Sequence, residues 1–267
     1  MEAQLSAQDK PEKEPILVVA TGGSSGLGLE ALATYLKQSE NDIILVLGCR
    51  NPANPLVSTQ LGGFQNIRKL DIFELELTSN DSIRGFASHI LEVYPQQSYR
   101  APSLCRRRLL LECLWPRLVG PAGGMVCSRV VFVASSLHKK ASLQHEVSPS
   151  SIDILLNNNP WKPMSAYSIS KLAQMHLFKI VEDAFAKVED SKSRPTAIAV
   201  SPGFVPQTGL ARESSWLTRQ VMAYVMPLFP FTTSLEEGGK TIARAMIAQN
   251  LQSGTYIMRL LYANSFR

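Results

Sequence analysis

Tyr167 and Lys171 are the residues of this sequence whose types and spacing most directly suggest chemistry. They stand four positions apart, so a helix would present the phenol and the ammonium on one face. A lone phenol is a poor acid–base catalyst near neutrality because its pKa is about 10. A neighbouring cation favours the phenolate and lowers that pKa. The pair predicts a proton-transfer group, although without further support such a pair is usually two surface side chains.

Two serines provide that support. Ser135 and Ser136 directly follow the apolar run at 130–134, which predicts a buried strand. In parallel α/β sheets, residues at the carboxyl end of a strand meet the substrate. The serine pair therefore predicts a site to which Tyr167 and Lys171 could contribute.

The segment 21–28 (TGGSSGLG) predicts a dinucleotide-binding turn. Glycines let the backbone turn sharply and approach a pyrophosphate closely. The following helix would offer unpaired N–H groups and its positive dipole end to that anion. A glycine-rich octet alone is weak evidence, since ordinary glycine turns are common. Here it follows the apolar run 16–20 and opens a helix with Leu29, Leu32 and Leu36 at helical spacing, which is the context the motif requires.

Arg50 indicates which dinucleotide the turn would bind. It follows a second apolar run, at 43–47, in the sequence Gly48-Cys49-Arg50-Asn51. An NAD site usually has an acidic residue here for the ribose 2′-hydroxyl, whereas a guanidinium suits a 2′-phosphate. The predicted cofactor is therefore NADP(H); the alternative is a plain surface arginine.

The elements that must position these residues alternate between strand and helix. Further strands are predicted near 73–77, 130–134, 196–200 and 254–258, and helices near 79–94, 167–188 and 235–249. This order predicts an α/β fold, a Rossmann-type doubly wound parallel sheet flanked by helices. We expect residues 1–14 to be a disordered lead-in, 15–267 to form a single NADP-binding domain, and 209–232 to form an apolar substrate lid.

Composition excludes several other classes of protein. The 267 residues are 45% hydrophobic and 18% charged, typical of a globular chain, and the net charge of +5 comes partly from short basic runs. Such runs are usually solvated, so we expect no nucleic-acid partner. The four cysteines show no metal-ligand or disulfide spacing. The N-terminal residues are polar and charged, so we expect no signal peptide there, and the sequence contains no apolar segment of about 18 residues. We expect a cytoplasmic protein without a metal.

Taken together, these motifs resemble the short-chain dehydrogenase/reductase family. The resemblance spans TGGSSGLG, the strand-end serines, the motif YSISK at 167–171, and SPGFVPQT at 201–208. The segments VVFVASSLHK, AYSISKLA and GCRN are most similar to its NADP-dependent, retinol-dehydrogenase-like branch, which includes many fungal reductases. A role in secondary metabolism is consistent with that branch.

The resemblance implies a role for each matching residue. Ser136, or Ser135 as second choice, would hydrogen-bond the substrate oxygen, Tyr167 would give or take the proton, and Lys171 would bind the nicotinamide ribose. Thr208 stands one residue later than usual. The implied cofactor-binding residues are Thr21, Gly22, Ser24, Ser25, Gly26, Leu27, Gly28, Arg50, Glu76, Tyr167, Lys171, Pro202, Gly203, Val205 and Thr208.

The stretch 95–125 departs from the family pattern. The family's fourth strand normally ends in Asn-Asn-Ala-Gly, and the next helix carries an asparagine that holds a water for proton relay; neither is visible here. The apolar piece 109–116 could be the tail of that helix. We expect a deletion of a few dozen residues, by splicing, a faulty gene prediction or genuine loss. Such a deletion could remove the central fourth strand. Asn157, in a similar-looking run at 152–158, follows Ser136 and is not expected to replace the catalytic asparagine.

The leading functional prediction is an NADP(H)-dependent oxidoreductase that interconverts a carbonyl and an alcohol on a lipophilic small molecule. The alternatives are a protein that only binds NADP(H), or a mis-spliced product that does not fold. The apolar lid also leaves open contact with a membrane surface. Homo-oligomerisation stays open too, because the altered helix is the family's usual dimer face.

Overall fold

Continuous apolar runs form most of the inner strands of a parallel sheet. The computed structural model describes residues 14–94, 99–103, 108–119, 127–141, 163–190, 194–206 and 232–258, and within them seven strands pair in the order β3-β2-β1-β4-β5-β6-β7. Every neighbouring pair is parallel. The strands are β1 (Ile16–Thr21), β2 (Ile43–Cys49), β3 (Ile67–Glu74), β4 (Tyr99–Ser103), β5 (Arg129–Val133), β6 (Thr196–Ser201) and β7 (Tyr256–Met258).

Helices connect these strands on both faces of the sheet. They are α1 (Gly26–Gln38), α2 (Pro55–Leu61), α3 (Asn80–Val93), α4 (Arg108–Val119), α5 (Pro163–Ala186) and α6 (Leu235–Ile247), with a 3₁₀ turn at Ser136–Lys140. Helices α3, α4 and α5 pack on one face, and α1, α2 and α6 on the other. None of the helices in the described ranges is long and apolar enough to span a membrane. The predicted doubly wound α/β fold is confirmed.

Strand β4 corrects the expectation that the central strand is missing. It lies between β1 and β5, pairing with Leu17 and Val18 on one side and with residues 129–132 on the other. The sequence YRAPS has no apolar run, and Pro102 cannot donate a ladder hydrogen bond, so sequence patterns argue against a strand here. Two flanking strands supply the pairing that the local sequence does not favour.

The third strand also lies earlier than the sequence predicts. Alternating leucines and glutamates favoured 73–77, but β3 ends at Glu74. Leu75 comes after the strand and is buried against the same core as Phe86 of α3. The alternating pattern at 73–77 therefore marks the end of β3 and the partly buried segment that connects it to α3.

Arg129 is a buried cation that fastens the start of β5 to the end of α6. Its Nη1 donates to the carbonyl oxygens of Ala248 (2.6 Å) and Ala245 (3.1 Å), and its Nε to the Thr196 hydroxyl (3.1 Å). The last carbonyls of a helix have no intrahelical partner, and a cation is favoured at that end. Arg129 thus donates hydrogen bonds to carbonyl oxygens at the end of α6, a structural role that the sequence analysis did not predict.

We expect Arg129→Met to lower the free energy of unfolding by about 3 kcal/mol, because it leaves buried carbonyls without donors. Urea denaturation of the purified chain measures this loss. The matched control is Arg108→Met, which removes only an exposed pair with Glu112 and should cost about 0.5 kcal/mol or less. Equal costs for the two variants would contradict the assigned role of Arg129.

Candidate functional site

The turn between β1 and α1 has the backbone geometry of an anion-binding loop. Gly22 has φ 71° and Gly26 has φ 52°, in the left-handed region that favours glycine. Between them the chain reverses direction and enters α1 at Gly26. The sequence-predicted turn therefore lies where a strand of the central sheet meets the beginning of a helix.

Gly28 is required by a close approach within this turn. A Cβ built on Gly28 would lie 2.1 Å from the carbonyl oxygen of Gly22 and 2.9 Å from its carbonyl carbon. These are backbone atoms, so they cannot move aside as a flexible side chain could. Gly28 allows the first turn of α1 to pack directly on the loop.

The start of α1 offers polar groups to a ligand. The N-cap residue Ser25 makes no side-chain capping hydrogen bond, so its hydroxyl does not occupy the first N–H groups of the helix. The Thr21 hydroxyl oxygen is buried and has no hydrogen-bond partner among the described residues. A bound anion with several acceptor oxygens would suit both features.

Arg50 and Asn54 lie beside the glycine turn. Strand register pairs Thr21 with Gly48, and exposed Arg50 follows two residues later. Asn54 Nδ2 donates to the carbonyl oxygen of Ser24 (3.2 Å), while its Oδ1 caps α2 through the N–H of Leu56 (3.1 Å). Asn54 therefore ties the Arg50 loop to the turn. The sequence analysis missed it, although an Asn-Pro pair before a helix is a recognisable capping signal.

Glu76 lies two residues after the end of β3, and its carboxylate accepts hydrogen bonds from the turn that it belongs to. Its Oε1 accepts from both the N–H and the hydroxyl of Thr78, each at 2.8 Å. Next to it, a cleft of about 320 Å³ opens between the start of α3 and the start of α4, lined by Leu77, Thr78, Asn80, Ile83, Arg108, Leu109 and Glu112. Glu76 thus stabilises the turn at Thr78, which is one of the residues that line this cleft.

Two glycines bring α6 against the start of α1. A Cβ on Gly238 would lie 2.8 Å from a Leu27 methyl group, and one on Gly239 would lie 2.6 Å from Glu30 Cγ. Gly238 also faces Val205, from the loop after β6. Leu27 and Val205 therefore both pack against α6 at Gly238, and the adjacent glycines are a signal the sequence analysis did not use.

The strand-end serines have different tasks. Ser135 accepts the N–H of Leu137 on its hydroxyl (3.3 Å) and so caps the 3₁₀ turn. The N–H of Ser136 donates to the hydroxyl of Ser201 (3.2 Å), at the end of β6. Because the Ser135 hydroxyl is used in capping, this geometry favours Ser136 for contact with a substrate.

Strand β7 completes the support of this serine turn. Burial raises the pKa of the Tyr256 phenol, and the nearby Ser201 hydroxyl opposes that rise. The Tyr256 ring meets the His138 ring edge-on, with centroids 5.6 Å apart, and His138 Nδ1 lies 2.6 Å from the carbonyl oxygen of Ser135. The first residue of β7 therefore contacts the turn that follows β5 and contains Ser136.

Helix α5 places Lys171 against the end of β5. Lys171 is 8% exposed, and its Nζ donates to the carbonyl oxygen of Val133 (3.1 Å) and to Gln174 Oε1 (3.3 Å). The same Nζ lies 5.6 Å from the centroid of the Tyr167 ring. Because Val133 precedes Ser136 by three residues, the structure brings the phenol, the ammonium and the serine turn to one strand end.

The loop after β6 contributes Pro202, Gly203 and Val205. The first and last are buried, and Phe204 accepts the N–H of Thr233 (2.7 Å) next to a bridge with Thr232. Thr208, the apolar segment up to residue 231, the run at 152–158 with Asn157, and residues 1–13 lie outside the described residues. Their predicted roles stay predictions.

Comparison with known proteins finds similar dehydrogenases and reductases, although no family model matches the chain. The curated short chain dehydrogenase atnD of Emericella nidulans is 23% identical over 274 residues, covering 92% of this chain and 86% of that protein. Salutaridine reductase from Papaver somniferum superimposes with a TM-score of 0.64 and 16% identity, over 91% of this chain and 99% of that chain. An NADPH-bound carbonyl reductase from chicken fatty liver gives a TM-score of 0.62 and 16% identity, over 92% and 97%.

The structural neighbours establish the fold, and the curated relative covers nearly the whole chain. The glycine turn, the strand-end serines and the Tyr167–Lys171 pair occur in the order that the family resemblance implied. On this combined evidence, the chain is similar to short-chain dehydrogenases and reductases in its fold and in the order of its motifs.

Proposed function

We propose that this protein is an NADP(H)-dependent oxidoreductase that interconverts a carbonyl group and an alcohol on a lipophilic small molecule. The observation that carries the proposal is the cluster at the end of β5. There Lys171 is bound to the Val133 carbonyl oxygen, with Tyr167 beside it and Ser136 on the adjoining turn. A phenol, an ammonium and a hydroxyl so placed suit proton transfer to and from a substrate oxygen.

The residues at the end of β1 and the start of α1 fit a dinucleotide. The buried Thr21 hydroxyl and the start of α1 provide donors for a pyrophosphate, and Gly22, Ser24, Ser25, Gly26, Leu27 and Gly28 form the loop around it. Glu76 would lie on the adenosine side, and Pro202, Gly203, Val205 and Thr208 on the nicotinamide side. When bound, the cofactor supplies or accepts the hydride.

The protein's own residues orient the substrate and move its proton. The Ser136 hydroxyl would hydrogen-bond the substrate oxygen, while Tyr167 Oη donates a proton to it in reduction and removes one in oxidation. Lys171 would hold the nicotinamide ribose and place positive charge near the phenol.

Arg50 supports NADP(H) over NAD(H). We expect Arg50→Glu to weaken NADPH binding about tenfold or more, because the carboxylate repels the 2′-phosphate and removes a charge-assisted hydrogen bond. NADH binding should fall much less, and fluorescence titration with each cofactor measures both. Arg68→Glu is a suitable control, since exposed Arg68 lies near the amino end of β3, at the other end of the strands from Arg50, and pairs with Asp42. Equal losses for NADPH and NADH would contradict recognition of the 2′-phosphate by Arg50.

A second candidate function is NADP(H) binding without turnover. The observation that favours it is the composition of α4, RLLLECLWPRLV, which contains no asparagine within Arg108–Val119. Such a protein would be stabilised by NADPH yet would leave carbonyl substrates unreduced.

Thermal unfolding with and without NADPH, followed by assays with lipophilic aldehydes and ketones, separates the two candidates. At about one hundred times its Kd, NADPH should raise Tm by roughly 5–10 °C. Turnover supports the oxidoreductase, and stabilisation without turnover supports the binding protein. A chain that shows neither stabilisation by NADPH nor turnover would contradict both candidates. The similarity to the retinol-dehydrogenase-like branch is still a prediction, and the same panel of lipophilic aldehydes and ketones can test it.

A further inference from the structure

Gln174 is a fully buried polar side chain with no role in the proposed reaction so far. It lies on α5 three residues after Lys171, and none of its surface is exposed. Burying an amide is costly unless it is hydrogen-bonded. Its Oε1 accepts a hydrogen bond from Lys171 Nζ at 3.3 Å. The buried amide therefore helps to orient the ammonium.

The second anchor of the ammonium is the backbone of β5. Lys171 Nζ also donates to the Val133 carbonyl oxygen at 3.1 Å. A lysine side chain has a long, flexible stem and loses considerable rotamer entropy when held in one place. One acceptor on the strand and one on the helix fix the position of the charge 5.6 Å from the centre of the Tyr167 ring.

Within the described residues, helix α4 does not extend along its axis as far as Lys171. Trp115 of α4 stacks on Phe185 of α5, with ring centroids 5.3 Å apart. Both helices follow strands of a parallel sheet and pack on the same face, so they run in the same direction. At about 1.5 Å per residue, Lys171 lies about 21 Å before Phe185, whereas α4 begins only about 10 Å before Trp115. The side chains of Arg108–Val119 are therefore displaced along the axis from Lys171, while Gln174 is one turn away.

We propose that Gln174 is the positioning residue for Lys171, holding the ammonium in register with Tyr167 and with the cofactor ribose. The positioning itself is a property of the protein without cofactor. Its benefit for binding and turnover rests on the proposed function. Gln174 acts through Lys171 rather than on the substrate.

The first test measures the anchoring without cofactor or activity. Lys171 is labelled with acetic anhydride, and mass spectrometry quantifies acetylation in the wild type and variants. Gln174→Met keeps the side-chain length but removes the acceptor, so we expect Lys171 acetylation to rise at least threefold. Gln174→Glu keeps an oxygen acceptor and should stay close to the wild type. Met175→Leu, at the adjacent half-buried position, controls for disturbance of the helix. Unchanged labelling in a folded Gln174→Met would overturn the proposal, as would an equal rise in Met175→Leu.

The second test asks whether the anchoring serves the cofactor. We expect Gln174→Met to raise the Kd for NADPH about tenfold and Gln174→Glu to raise it much less. In a Lys171→Met background, Gln174→Met should add nothing further. Additive losses would overturn action through Lys171. If the wild type does not bind NADPH while Gln174→Met still exposes Lys171, the proposed function fails and the positioning role stands.

Discussion

Tyr167→Phe should lose turnover by about 10²- to 10⁴-fold while retaining NADPH binding. The substitution removes only the oxygen that would exchange a proton with the substrate, and it keeps the ring that lies 5.6 Å from Lys171 Nζ. Steady-state rates of NADPH oxidation with a responsive aldehyde or ketone measure the loss. The NADPH-induced rise in Tm shows whether the cofactor still binds.

Tyr94→Phe is the matched control for this substitution. Tyr94 follows the end of α3, and its phenol hydrogen-bonds Asp71 and Lys69 of the edge strand β3. Its removal should affect stability and leave kcat near that of the wild type. Turnover that survives Tyr167→Phe would contradict the assignment of Tyr167 as acid and base.

Gly28→Ala should destabilise the chain by about 3 kcal/mol or more, at the upper end of overpacking costs. The added methyl group would lie 2.1 Å from the Gly22 carbonyl oxygen, so the turn or the start of α1 must move. Any such movement also displaces the N–H groups proposed to hold the pyrophosphate. We therefore expect the NADPH-induced rise in Tm to disappear as well, as measured by thermal unfolding with and without cofactor.

Gly85→Ala provides a control of the same chemistry with the opposite expected sign. A Cβ on Gly85, inside α3, meets nothing within 4 Å. Alanine in a helix interior is favoured over glycine, so this variant should gain about 0.5–1 kcal/mol. Normal NADPH affinity in Gly28→Ala would contradict the role given to the close contact between Gly28 and Gly22.

The parts of the fold that could be predicted are those whose local sequence and tertiary context agree. The runs that became β1, β2, β5 and β6 are continuously apolar because helices cover both faces of the sheet. Helix α3 lies within its predicted limits, with Ser79 accepting the N–H of Ser82 as its cap. Helix α2 could not be found from periodicity, since it has seven residues and only Val57 and Leu61 are buried.

Strand β4 shows where sequence patterns fail for a physical reason. Its five residues include a proline and an arginine, and its pairing comes from β1 and β5 rather than from its own propensity. The start of β3 was missed for a related reason, because Arg68 and Lys69 interrupt the apolar pattern at an edge of the sheet. In both places the neighbouring strands determine the structure.

The candidate site follows the same division. The glycine turn, Arg50 and the Tyr167–Lys171 pair are recognisable because their spacing is local. The contacts that support them join distant segments, such as Asn54 with Ser24 and Ser136 with Ser201. Such pairs have no fixed spacing in the sequence, so they could be identified only from the folded structure.

The most direct test of the central claim is whether the purified chain oxidises NADPH in the presence of a lipophilic aldehyde or ketone, with NADH as the comparison. The account predicts substrate-dependent loss of NADPH absorbance, a clear preference for NADPH over NADH, and formation of the corresponding alcohol. A folded chain that is neither stabilised by NADPH nor able to reduce any carbonyl in the panel would contradict it.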